Sequence, residues 1–411
     1  MTVRRSPSLP PTLARVMAGQ TCSGCGLCAG IDPAIGLERD AKGWLRPVAL
    51  AEALPGTDAL LAKACPGATV APWEGGESRA VDPYWGPHVR VMTAHATDPE
   101  VRHMASSGGT LSALALHLLE TGAVDRVLHV GMDVLAPLLT TIVRSAGRDD
   151  ILRAAGSRYA PAAPLAEIRA ELEQPGRILF IGKPCDAGAL RQLMAADPAV
   201  AERFPYLFSF FCAGTPSQDG TERIVHKLGM EKAEVAHFRY RGDGWPGFAT
   251  ATRADGSSER MTYAASWGDI LSKEVQFRCK ICPDAVGGVA DVAAADAWYG
   301  GESGYPAFEE MDGRSLLISR TARGDAMVKA AEAAGTLTTE PLDIGEIIKM
   351  QPSQARRKRL AAARMAAMAL TGNPGPVVDG LKVGEAARLA GLIENVKSCA
   401  GTMRRILSGN R

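Results

Sequence analysis

The 411 residues contain no apolar run long enough to cross a bilayer, for which a helix needs about 20 such residues. Residues 1–20 carry Arg4 and Arg5 but not the apolar stretch of a secretory leader, so a cytoplasmic location is expected. A surplus of one charge sign is also missing, with 46 Lys and Arg against 45 Asp and Glu for a formal net charge of +1. Phosphate backbones are bound through surplus cations, and single strands through cations interleaved with aromatic platforms. Neither pattern is present, which argues against a nucleic-acid partner. No internal repeat appears. The length exceeds one ordinary core and favours two or three domains.

What the chain does have is nine cysteines. A reducing compartment keeps thiols free of disulfides, so clustered spacings there point to metal or redox work. Cys22-Ser23-Gly24-Cys25-Gly26-Leu27-Cys28 has the ferredoxin spacing, in which one tight loop delivers three thiolates. Cys65, before Pro66, is the natural fourth, and one 4Fe-4S cluster is expected on Cys22, Cys25, Cys28 and Cys65. Structural zinc takes four thiolates as well. Cys279 and Cys282, in Arg278-Cys279-Lys280-Ile281-Cys282-Pro283-Asp284, form a second close pair. Cys185 and Cys212 have no neighbour in sequence, and together these four make a second set that leaves only Cys399 over. On its own the Cys279/Cys282 pair also reads as half a zinc knuckle.

Periodicity divides the chain into three parts, with an α/β fold expected. Residues 1–88 read as a small, loop-rich module with a turn at residues 40–44 and a short helix over 50–63; residues 71–87 read as a linker or wrapping segment. Residues 89–345 alternate strands and helices: strands over 89–94, 127–130, 177–181, 206–211 and 315–319, helices over 111–120, 187–194, 220–228 and 324–334, and a hairpin about Asp255-Gly256. Cys185 and Cys212 each follow a strand and precede a helix. That places both at C-terminal strand ends, where open α/β sheets bind ligands. Residues 346–411 read as a helical extension.

Gly182-Lys183-Pro184-Cys185-Asp186, Phe210-Phe211-Cys212-Ala213-Gly214 and the Cys279/Cys282 segment occur in one order with Ser106-Ser107-Gly108-Gly109, Gly156-Ser157-Arg158-Tyr159, Tyr240 to Gly247 and Asp296-Ala297-Trp298. From about Gln20 to Ala334 the chain resembles the beta-subunit family of coenzyme F420 hydrogenases and dehydrogenases. Relatives include ferredoxin-dependent divinyl chlorophyllide 8-vinyl reductases and 7-hydroxymethyl chlorophyll a reductases. The resemblance implies an oxidoreductase with FAD and one or two 4Fe-4S clusters, and carries the inner cluster to Cys185, Cys212, Cys279 and Cys282. The architecture it implies is a ferredoxin-like N-terminal iron-sulfur module, a larger mixed-sheet domain holding FAD and the inner cluster, and the helical extension. Chlorophyll chemistry is disfavoured, because Ala29-Gly30-Ile31-Asp32-Pro33 and Ala64-Cys65-Pro66-Gly67 stand where those reductases have a Tyr-rich stretch and an Ala-Cys-Ala-Phe segment.

Within that resemblance, Ser106, Ser107, Gly108, Gly109 and Thr110 open a helix and suit a flavin pyrophosphate, although the same residues also serve as a plain N-cap. Ser157, Arg158 and Tyr159 are candidates for pairing with a phosphate and stacking on a ring. Lys183 is a candidate for the charge beside a reduced flavin, or a compensating charge for the thiolates. Arg241, with Arg239, is a candidate clamp for an acidic substrate or simply an arginine on an exposed strand; Asp296 and Trp298 are candidates for the pocket wall. The run Arg356-Arg357-Lys358-Arg359 reads as a solvated helix face, with docking of an acidic ferredoxin as the other reading. The implied function is electron transfer from a ferredoxin-type donor through two clusters to FAD and an organic small molecule. The alternatives are a beta subunit serving a partner complex and exchanging hydride with coenzyme F420, and a non-enzymatic zinc module.

Overall fold

The computed structural model describes residues 7–73, 80–300 and 310–409. Its organising element is a mixed eight-stranded sheet. In chain order the strands are β1 (Arg90–Ala96), β2 (Arg126–Met132), β3 (Thr140–Ser145), β4 (Ile178–Gly182), β5 (Tyr206–Phe210), β6 (Val292–Asp296), β7 (Ser315–Ser319) and β8 (Leu337–Pro341). Across the sheet they lie in the order β8-β1-β7-β6-β5-β4-β2-β3. Strands β2, β4, β5 and β6 are mutually parallel. β7 runs against β6, and β1 against β7. The C-terminal ends of β1, β4, β5 and β6 therefore open along one edge.

Both faces of the sheet are covered, which is why its central strands read as continuous apolar runs. Leu179, Phe208, Val292 and Leu317 face the helices Thr110–Glu120 and Ala322–Ala333 through Leu114, Leu118 and Val328. Their sequence neighbours Phe180 and Leu207 point to the opposite face, as the two-residue period of a strand requires, and meet Leu190 and Leu193 of helix Pro184–Ala196.

Around this frame the N-terminal residues are fastened by their own core contacts. A hairpin of Ile35–Arg39 and Leu45–Ala49 flanks the expected turn. The helix expected over 50–63 is shorter, Thr57–Ala64. The buried Asp32 carboxylate accepts from Leu54 N (2.8 Å) and Thr57 Oγ1 (2.6 Å), which holds the preceding segment out of helix. Cys25, Leu27 and Ala64 share a core with Leu165, Phe180 and Leu190, so this part of the N-terminal segment packs against a face of the sheet.

The linker expected over 71–87 is partly core. Trp73 and Trp85 are buried with Ile347, Ala355 and Leu381, while residues 74–79 lie outside the described residues. Beyond residue 346 the chain is helical, as expected, apart from Val377–Val378, which pairs in parallel with Thr69–Val70 and ties the C-terminal extension to the N-terminal residues.

Candidate redox site

The first three cysteines are set by glycines in the left-handed region. Gly26 (φ 84°) opens the helix Leu27–Ile31, and a Cβ there would stand 2.8 Å from that of Ala163. Cys25, Cys28 and Cys65 are buried and Cys22 is half-buried. Burial, then the proximity of Cys65, pushes the Cys25 thiol up; burial, then Cys25 and Cys22, pushes Cys28 up. Cys65 rises to about 11 through burial and Cys22. The four thiols occupy one neighbourhood, and as bare thiolates the three buried ones would be strongly disfavoured there. A cationic centre removes that penalty, so the donor set fits one. Among the described residues no three His, Cys, Asp or Glu side chains are gathered tightly enough to hold a single metal ion.

The second set is brought together at the open sheet edge. Cys185 lies in the first turn of the helix that follows β4, and Cys212 lies two residues beyond β5. Cys279 is on the short helix Phe277–Lys280, where its sulfur accepts from Thr215 N (3.3 Å). Cys212 rises to about 12 by burial, with Cys279 the next cause; burial, then Asp186, raises Cys185, to which Cys212 adds. The charge of Arg278 acts on Cys282, Cys185 and Cys279. These four therefore form one group, distinct from the first.

The two groups stand back to back. Arg278 is 3% exposed, and while facing the second set it donates to Pro66 O (3.1 Å), beside Cys65. Asp186, next to Cys185, also acts on Cys25. The basic run 356–359 is neither a solvated face nor, for its two central members, an outward surface. Arg357 donates to Cys212 O (3.1 Å) and Ala213 O (2.6 Å), and buried Lys358 donates to Pro283 O (2.9 Å). Only Arg356 behaves as a surface residue, pairing with Glu394 at 3.0 Å.

A cavity of about 330 Å³ lies against the same sheet edge, within the usual size range of ligand pockets. Its wall includes Ser106, Ser107, Gly109 and Thr110 from the turn between helices Pro99–Met104 and Thr110–Glu120, Ser157 to Tyr159, Lys183, Arg241, Asp296 and Trp298, so eleven of the cofactor and catalytic candidates line one space. Gly108 is packed behind it, its N–H bound to Ser315 Oγ at 3.0 Å. Of the eight paired-off cysteines, Cys212 alone lines the cavity among the described residues.

The roles inside that wall differ from the expected ones. Arg158 is not free for a phosphate. Its guanidinium donates to Phe238 O (2.8 Å), Leu139 O (2.8 Å) and Pro137 O (3.2 Å). Tyr159 packs on Trp267, with ring centroids 4.9 Å apart. Arg241 lies on neither an exposed strand nor a free clamp. It makes a bidentate pair with Asp296 (2.8 and 2.9 Å), also donates to Pro246 O, and lies 4.7 Å from the Tyr263 ring and 4.8 Å from that of Trp298. Arg239 is spent on Met104 O (2.9 Å).

Lys183 keeps its charge. Burial lowers its pKa, but Asp186, 2.7 Å away, and Cys185 more than offset this. The Ser106 hydroxyl accepts from Ser157 N, and Ser107 donates to Arg314 O (2.9 Å), so these two brace the loop. The Thr110 hydroxyl, in the first turn of its helix, is buried without a partner. Sequence reasoning missed Gln351 and Gln354, which line the cavity from the extension; Gln354 Oε1 is likewise buried and unpartnered. Nothing local marks either glutamine. Asp186 and Arg278, by contrast, sit next to cysteines and carried a visible signal.

The description "Coenzyme F420 hydrogenase/dehydrogenase, beta subunit N-term" matches residues 91–169, and its counterpart for the C terminus of the same beta subunit matches residues 176–344. The chain is 26% identical over 309 residues to the coenzyme F420 hydrogenase subunit beta of Methanothermobacter thermautotrophicus, covering 71% of this chain and 99% of that protein. It is 26% identical over 250 residues to the F420-dependent formate dehydrogenase 1 subunit beta of Methanococcus maripaludis, 60% of each chain. A chain in the F420-reducing [NiFe] hydrogenase complex of Methanosarcina barkeri shares the fold, with a TM-score of 0.56 and 22% identity over 72% of this chain and 98% of that one. Together the two matches cover the whole cavity-bearing sheet up to residue 344, and the chain belongs to the coenzyme F420 hydrogenase/dehydrogenase beta-subunit family.

Proposed function

We propose that this chain is an electron-transfer subunit of a coenzyme F420-linked oxidoreductase. In this reading it holds 4Fe-4S clusters on Cys22, Cys25, Cys28 and Cys65 and on Cys185, Cys212, Cys279 and Cys282, and FAD in the cavity. The observation that carries the reading is spatial: the two thiol groups meet across Arg278, and the second reaches the cavity through Cys212. The names of the relatives, all subunits or enzymes dependent on F420, support the acceptor. They also favour a partner subunit over a free ferredoxin-type donor.

A flavin, when bound, supplies the exchange between one-electron carriers and a two-electron acceptor. The chain's own residues supply the setting. The first turn of helix Thr110–Glu120 offers backbone N–H groups and the unpartnered Thr110 hydroxyl to an anionic group. Lys183 holds a positive charge at the wall shared with Cys212. Tyr263, Trp267 and Trp298 give that wall its apolar part.

Anaerobic purification of the full chain tests this reading by iron and flavin analysis, followed by reduction of F420 with the partner present. About eight irons per chain, four for each four-thiolate set, and one flavin are the expected outcome. A colourless, zinc-loaded protein without flavin would refute it.

A further inference from the structure

The second thiol group is ringed by buried and half-buried cations, three of which lack an ion-pair partner among the described residues. Lys183 is neutralised by Asp186. Arg278, Arg357 and Lys358 form no ion pair with a carboxylate among the described residues, although all three direct their charge at this group or hydrogen-bond its loops. The other acids facing them are Asp284 and Asp82, whose charges, with that of Cys282, hold up the Lys358 ammonium that burial pulls down to about 7; the Asp284 oxygens accept from Val286 N and Gly288 N. Four cations against these three carboxylates leave an excess of positive charge. A buried charge needs a counter-charge. Four thiolates on a 4Fe-4S core carry a net charge of about −2, which supplies the counter-charge for that excess.

Among the described residues the first thiol group has no ring of unpaired cations: Arg46, which donates to Cys22 O (3.4 Å), is paired with Asp40 at 3.0 Å. Arg278 is shared, and Asp186 adds negative charge at Cys25. The asymmetry comes from the helix Pro352–Arg359, which lies beyond residue 344, where the family match ends.

We propose that this helix is a cationic clamp on the inner site, and that Arg357 and Lys358 are positioning residues that raise its reduction potential above that of the N-terminal site. The inference rests on the two-cluster reading above. Reduction adds one negative charge to the held group, and each nearby cation in a low-dielectric setting stabilises that charge more than the oxidised state. Arg357 acts also through geometry, since its two carbonyl bonds fix the strand-end loop that presents Cys212.

The test is a redox titration of the full-length, anaerobically prepared protein followed by electron paramagnetic resonance, with iron counted for each variant. Lys358→Met and Arg357→Gln should move the inner-site potential to more negative values and leave the N-terminal site unmoved. Arg357→Lys keeps the charge and should stay near wild type. Should Arg357→Gln shed the inner irons, Arg357→Lys and Lys358→Met carry the comparison. Variants with full iron and an unmoved inner potential would overturn the clamp while leaving the two-cluster reading intact. A wild-type chain with iron at only one thiol group would overturn that reading first.

Discussion

Removal of the Asp296 carboxylate is the most direct probe of the cavity wall. The Arg241 side chain is 2% exposed and that of Asp296 19%. In Asp296→Ala the guanidinium stays buried between Tyr263 and Trp298, with Pro246 O as its remaining hydrogen-bond acceptor. Breaking a buried pair from one side costs about 3–5 kcal/mol, because the orphaned charge keeps its desolvation penalty. Water reaches Asp296 from the cavity, so the lower end, about 3 kcal/mol, is expected. Replacing both partners by apolar residues of similar size, Arg241→Met with Asp296→Leu, removes the orphan and should cost less than either single change. The coupling in that double-mutant cycle is expected at about 2 kcal/mol. Urea unfolding followed by tryptophan fluorescence reads it directly, since Trp245 and Trp298 stack beside the pair. A loss below about 1 kcal/mol in Asp296→Ala, or two single costs that simply add, would refute the view that the pair is buried and interdependent.

Cys282→Ser and Cys25→Ser should each lose about four of eight irons, with complementary spectra; loss of both sets from either change would show that the cysteines are wrongly divided. Thr110→Val removes an unpartnered hydroxyl at no packing cost, so flavin affinity measured by dialysis should fall up to about tenfold while thermal stability holds. Burial lowers the His129 imidazole from 6.5 to about 4. The unfolded chain then binds more protons between those values, so stability is intact above pH 6.5 and falls as pH drops towards 4, by up to about 3 kcal/mol; His129→Gln should flatten that part of a pH–stability curve. Gly156 has φ 105°, and a Cβ there would stand 2.9 Å from Arg241 O. Gly156→Ala should therefore cost about 1–3 kcal/mol, read as an earlier urea midpoint.

Two of the strands that sequence patterning missed share one physical feature. Ser315–Ser319 is buried at all five positions and was legible to the residue. Ile178–Gly182 and Tyr206–Phe210 were found within one residue. The central Val292–Asp296 was not assigned as a strand; Thr140–Ser145 and Leu337–Pro341 were missed too, and they are the two edges of the sheet. An edge strand has one hydrogen-bonded neighbour and meets solvent, so its residues alternate weakly and tolerate Glu340 and Pro341. Patterning reads burial, and at an edge little burial remains to read.

A similar limit separates the cysteines from the arginines. A thiol's chemistry is short-range, so spacing alone announces where it acts. An arginine reaches far from its own backbone and its destination is set by whichever buried carbonyls the strands and helices leave unpaired. The loops at the open sheet edge leave many: Cys212 O and Ala213 O take Arg357, Pro283 O takes Lys358, and Pro66 O takes Arg278. Those acceptors exist because Cys212 and residues 281–283 depart from regular structure where the thiols are presented. The residues that hold the thiols in position are thus recruited from distant stretches by the irregular backbone the thiols require, which is why Arg356-Arg357-Lys358-Arg359 resembles a solvated face in sequence yet half of it turns inward.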